Sequence, residues 1–217
     1  MIDIAIISAA RNPELKAITE QAVRTLHENT PKPYTLTVAE SVPNVTYNAD
    51  RVFKPNAGFN YNQYGNLALK GGKNPYVGLF NNDVVFKPEW WDKLLDAMQK
   101  NGLDSASPYC PKAGAHEGIP ENSGVRIGYK VRQHISGWAI VLKRAAWEKI
   151  GGFPQEFEFH YSDDVYGMAL QAHGLRHGLV TGSVVVHLES KTLSTLPDAV
   201  KDRYTVDAKK RYKNKYK

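Results

Sequence analysis

The chain has 217 residues, 42% of them hydrophobic and 23% charged, with a formal net charge of +6. That length supports one α/β domain with a sizeable core and is short for two, and the composition excludes wholesale disorder. No apolar run approaches the roughly 20 residues needed to cross a bilayer. The single cysteine, Cys110, excludes an intrachain disulfide and fits a reducing, cytoplasmic compartment.

The charge is uneven. Lys201–Lys217 holds eight Lys/Arg against two Asp/Glu, so it carries the whole excess and leaves the first 200 residues formally neutral. Two parts are expected: a body over 1–200 and a basic tail over 201–217. Its last part, Lys209–Lys217, reads as a solvated, fraying helix with little to bury, whose deletion leaves the body intact. Its Lys, Arg and Tyr also suit a phosphate-rich polymer.

Ile2–Ser8 is an apolar run that predicts a strand buried on both faces, although Ile4–Ala10 faintly resembles a signal-peptide core. Asn12 predicts an N-cap, Pro13 the first helical position, and Leu15, Ile18, Ala22 and Leu26 repeat at helical spacing until Thr30-Pro31. Tyr34–Ala39 follows as a strand, which begins a parallel sheet. Asn56–Asn66 is rich in Asn, Gly and Tyr and reads as a loop into a short helix over Leu67–Lys70, closed by Gly71-Gly72. Tyr76–Phe80 predicts a buried strand running into Asn81, Asn82 and Asp83, where open α/β sheets bind ligands. A helix begins near Pro88 and carries Leu94, Leu95 and Met98. Lys112–Gly124 reads as a mobile loop. Ile135–Leu142 is a strand and Ala145–Ile150 a helix. Ser162 or Asp163 caps a helix ending at Gly174, with His173 and His177 flanking its end. Leu179–Val186 is a last strand that delivers His187.

Asp83, the pair Asp163 and Asp164, and His187 thus fall at strand ends or a helix start. Transfer of a sugar from a nucleoside diphosphate needs such groups: hard oxygen ligands, and an imidazole, for a divalent cation, and a separate carboxylate to take the acceptor's proton.

The motifs Tyr76–Asp83, Pro88 to Trp91, Asn56 to Phe59, Asn66 to Ala68, Ser136-Gly137, Lys143-Arg144, Ile150–Phe153, Glu156-Phe157, Ser162–Val165 and His187 together resemble glycosyltransferases of the GT-A fold, in particular the inverting family 2. The resemblance spans roughly residues 2 to 190. It implies a single α/β Rossmann-like domain, a mixed and mainly parallel sheet with helices on both faces. It implies metal-dependent transfer, with manganese or magnesium, from a nucleotide sugar, a uridine diphosphate sugar first, to an acceptor hydroxyl with inversion. Asp83 and His187 become the metal ligands. Asp164 becomes the catalytic base, supported by Asp163. Ser8, Arg11, Glu40, Asn56, Asn66, Asn81 and Asn82 become the nucleotide-sugar contacts. The chain departs from the family pattern at Asn81, which stands where an Asp-x-Asp motif begins, and at Pro154 and Tyr166.

Competing readings accompany these residues. Asp83 and the acidic pair suit turn and cap chemistry, His187 suits a structural strand end, and at least one of Trp90 and Trp91 is expected in the core. Tyr61, Asn62 and Tyr64 are candidates for the nucleotide side, and Trp138 for stacking on a sugar. The acceptor is a saccharide or, given the tail, a hydroxymethylated base in DNA; an anionic polysaccharide or lipid fits the charge equally. The alternatives are a nucleotidyltransferase, which lacks a Gly-rich phosphate loop here, and a non-catalytic nucleic-acid-binding domain.

Overall fold

The computed structural model describes residues 1–188 and 196–216; residues 189 and 190 of the resemblance, and Lys217 of the tail, lie outside them. β1 (Ile2–Ser8) sits between β2 (Tyr34–Glu40) and β4 (Tyr76–Asn81), both parallel to it, and β3 (Arg51–Phe53) adds to β2 in parallel. β8 (Ala139–Lys143) runs antiparallel to β4 and to β6 (Ser105–Tyr109). β6 pairs in parallel with β9 (His177–His187), against which β5 (Val84–Phe86) and β7 (Val125–Ile127) lie antiparallel. The result is a nine-stranded mixed sheet among the described residues.

Side-chain alternation along β1 explains its all-apolar sequence. Ile2, Ile4 and Ile6 pack on α1 (Pro13–Asn29) and α3 (Trp90–Lys100), whereas Ala5 and Ile7 pack on α2 (Tyr61–Leu69), α4 (Arg144–Lys149) and α5 (Ser162–Ala172). α1 starts as its sequence dictates, with the Asn12 side chain accepting the Leu15 N–H at 2.8 Å. Trp90 and Trp91 are both buried, and Trp90 joins Phe80 and Phe86 in an edge-on aromatic cluster.

Several expectations need correction. α2 begins at Tyr61, six residues before the predicted start, because Asn60 caps it through the Gln63 N–H and the Tyr61 N–H finds Glu158 O at 2.8 Å. The strand expected from Ile135 begins at Ala139; Ile135 forms an isolated bridge with Val131, and a turn over 137–138 leads into the strand. The loop over Lys112–Gly124 is anchored rather than free, since His116 is buried and its Nδ1 accepts the Cys110 N–H. His173 caps α5, but His177 is a core residue that opens β9; burial lowers its pKa to about 4, and it bonds Ser105 Oγ.

The tail differs most. Asp198–Asp202 and Ala208–Tyr216 are α-helical, joined by a wider π-helical turn over Arg203–Asp207. Tyr204, Ala208 and Tyr212 recur every four residues and are buried, with Phe157, Tyr161 and Tyr216 beside the last two. Arg203 and Arg211 pair with Glu158, and Lys215 and Tyr216 bond Glu156. Burial opposes the charge of Glu156, but the Lys215 ammonium and Tyr216 hydroxyl outweigh it and hold its carboxyl below the usual range. Truncating Tyr212→Ala should therefore cost about 3 kcal/mol, the scale for removing a packed aromatic, in denaturant unfolding; an unchanged midpoint would mean that the helix contributes nothing to the body.

Candidate active site

The carboxyl end of β4 and the end of β9 meet through β5. The register places Val84 opposite His187, and Asp83 O accepts the Leu188 N–H at 2.9 Å. Asp83 and His187, far apart in sequence, are thereby fixed side by side. Asp83 Oδ1 lies 3.1 Å from His187 Nε2, and Asn81 Nδ2 lies 3.2 Å from the same nitrogen. The Asp83 approach is close but poorly aligned for a hydrogen bond, so Oδ1 is buried without a donor. The Asn81 backbone N–H donates to Trp138 O at 2.9 Å and so brings Trp138 alongside. The Trp138 ring lies flat on the His187 imidazole, 4.9 Å between centroids and 5° between planes.

An unpaired buried carboxylate oxygen is costly unless a cation completes it. Asp83, the His187 nitrogen and the carbonyl oxygen of an Asn81 amide turned the other way form an O,N,O donor set suited to manganese or magnesium. Among the described residues no group of three or more His, Cys, Asp or Glu forms a self-sufficient cation cage, so substrate oxygens would have to complete the coordination. The residues present fit that group.

A cleft of about 420 Å³ opens over this corner, lined by Tyr61, Asn81, Arg132, Trp138, Asp163 and His187 among others. Asp163 enters it from the first turn of α5. Tyr161, at φ 70°, turns the chain into that helix, and Gly137 permits the approach, since a Cβ there would come within 2.8 Å of Asp163 Oδ2. Asp163 Oδ1 accepts the Asp164 N–H at 3.2 Å. Burial, and then the neighbouring Asp164 charge, raise the Asp163 pKa to about 6, against the pull of backbone N–H groups and Arg132. Asp164 stands beside it on α5 but does not line the cleft.

The structure separates the expected nucleotide contacts. Asn81 lines the cleft. Ser8 is buried against Thr19 and Tyr47. Glu40 is buried, accepting from the Ala10 and Val42 N–H groups and the Tyr47 hydroxyl. Asn66 clips the Phe153 backbone through both amide atoms and takes the Trp147 N–H. Asn82 is buried and donates to Thr19. The polar atoms of these four are engaged within the chain, and none of the four lines the cleft. Arg11 and Asn56 are exposed and do not line it. Arg132 and His160, which do line it, sit in polar loops and carry no periodic signal in the sequence.

No family model matches the chain. Over 170 residues it is 25% identical to the O-antigen biosynthesis protein RfbC of Myxococcus xanthus, covering 65% of this chain but 13% of that protein. Among solved structures it resembles GalNAc-T7, crystallised with UDP, GalNAc and Mn2+, at a TM-score of 0.67 and 9% identity over 86% of this chain and 43% of that one. It also resembles the mannosyltransferase PcManGT of Pyrobaculum calidifontis, in complex with GDP-Man and Mn2+, at a TM-score of 0.57 and 14% identity over 88% and 57%. The chain thus spans about half or less of the length of these relatives. With its mixed nine-stranded sheet and helices on both faces, it has the fold of the GT-A glycosyltransferases.

Proposed function

We propose that the chain is a metal-dependent glycosyltransferase that moves a sugar from a nucleoside diphosphate to an acceptor hydroxyl with inversion. The observation that carries this reading is the unmet Asp83 oxygen beside His187, which lines the same cleft as Asp163. Similarity to structures that hold UDP or GDP-Man with Mn2+ supports it. Asp83, His187 and the Asn81 carbonyl would hold the cation. When bound, it supplies positive charge for a leaving diphosphate.

Asp163, rather than Asp164, is the group placed to accept the acceptor's proton. Its Oδ1 is engaged by the Asp164 N–H, which leaves Oδ2 toward the cleft. A value near 6 keeps it ionised at neutral pH yet basic enough to work. Asp164 contributes its charge, which raises the basicity of its neighbour. A single base with one-step displacement gives inversion at the anomeric carbon.

A saccharide acceptor is favoured over DNA. The polyanion reading rested on the basic tail, and Arg203, Arg211 and Lys215 are paired internally with Glu156 and Glu158. Among the described residues no helix is long and apolar enough to cross a membrane.

A thermal-shift screen of uridine and guanosine diphosphate sugars, with and without manganese, tests the reading. One donor should raise the melting temperature by several degrees only when metal is present. A screen in which no nucleotide sugar stabilises the protein under either condition would overturn it.

A further inference from the structure

Three side-chain polar atoms among the described residues are buried with no hydrogen-bond partner: Asp83 Oδ1, the Tyr61 hydroxyl and Trp138 Nε1. The first belongs to the metal corner. The other two are donors, and both residues line the same cleft. A buried donor left unsatisfied costs about 1–3 kcal/mol, so two of them at one cleft, where apart from Asp83 Oδ1 the other buried side-chain groups among the described residues are paired, mark places where an absent acceptor atom belongs.

Their positions differ. Trp138 lies flat against His187, so one ring face is covered, and the residue lines the cleft beside the metal corner. Tyr61 is buried at the first turn of α2, packed edge-on to Phe159. Burial, and then the charges of Asp83 and Asp163, raise the pKa of its hydroxyl and keep the proton on it. Tyr61 lines the cleft that spans the interval from His187, at the corner that would hold the diphosphate, to Asp163, the carboxylate that faces the acceptor. The sugar in transit must occupy that interval, because its anomeric carbon joins the diphosphate to the incoming oxygen.

We infer that Tyr61 and Trp138 are the two fixed hydrogen-bond donors of the donor-substrate site, the Tyr61 hydroxyl to an oxygen of the transferred sugar and Trp138 Nε1 to an oxygen of the diphosphate. This rests on the glycosyltransferase reading above. Trp138 then recognises its ligand by its edge, not by stacking on a sugar face. Both side chains discriminate by the rule that a buried group built to bond a substrate oxygen rejects a ligand lacking it.

Tyr61→Phe and Trp138→Phe test this with manganese and two probes: UDP, and the nucleotide sugar that stabilises the wild-type chain most. Tyr61→Phe should leave UDP affinity unchanged, weaken the nucleotide sugar about tenfold, and raise the melting temperature of the ligand-free protein by about 2–4 °C, since an unmet donor is removed. Trp138→Phe, which keeps a ring over His187, should weaken both probes about equally. A merely structural tyrosine would lower the melting temperature and leave the two affinities in their wild-type ratio. Wild-type stabilisation by the nucleotide sugar, with Tyr61→Phe binding it as tightly and melting no higher, would overturn the inference and leave the glycosyltransferase reading standing. Failure of the wild type to bind either probe would overturn both.

Discussion

Asp83→Asn is expected to lower turnover at least about a hundredfold while the ligand-free protein melts no lower than the wild type. The first effect follows from removing a charged ligand from a site with few protein donors. The second follows from the environment of Asp83, which is buried with one carboxylate oxygen unmatched. Asparagine keeps the shape, deletes the buried charge and offers an N–H toward His187 Nε2, so nothing stabilising is lost. Steady-state kinetics with saturating manganese and differential scanning fluorimetry without it give the two readouts. Normal turnover would remove Asp83 from the cation site. A drop of many degrees would make it a structural strut.

Asp163→Asn should cut turnover by roughly 10²–10⁴, the scale of a general base, and Asp164→Asn should cut it less. The pH dependence has a defined sign. Asp163 titrates near 6 in the folded chain against an ordinary 3.8, so kcat/KM should fall about tenfold per pH unit below about 6. Stability moves the other way. A folded value above the unfolded one means that the protonated form is favoured in the fold. That contribution is fully present below 3.8 and is lost as pH rises through about 6. Asp163→Asn should consequently melt higher than the wild type at pH 8 and the same near pH 3.5. If Asp164→Asn produced the larger loss, the base would be Asp164 after all.

The sequence was informative wherever local chemistry and periodicity decide the outcome. β1 and the Asn12 cap were legible because an unbroken apolar run and an Asn-Pro start have few other uses. β6 was not, because Ser105 and Ser107 interrupt its apolar pattern. They are tolerated inside the sheet only because Ser105 bonds Tyr166 and His177, and Ser107 takes the Ser136 N–H. The early start of α2 depends on Glu158, nearly a hundred residues away, which no local pattern contains. The positions of Asp83 just after β4 and of His187 at the end of β9 were legible from the apolar runs that precede them. For Ser8, Glu40 and Asn66 a motif position specifies a residue but not its hydrogen-bond partners, and these three have partners within the chain. The docked tail had a visible signal, the four-residue recurrence of Tyr204, Ala208, Tyr212 and Tyr216. It was masked by a lysine-rich composition that reads as solvated.

The most direct test of metal-dependent sugar transfer follows release of nucleoside diphosphate from the nucleotide sugar that binds. The wild-type chain is expected to release it with manganese, to stop on addition of a chelator, to resume when manganese is restored, and to show little release as Asp83→Asn. Release that persists unchanged in excess chelator, or that Asp83→Asn sustains at the wild-type rate, would contradict the assignment of this cleft.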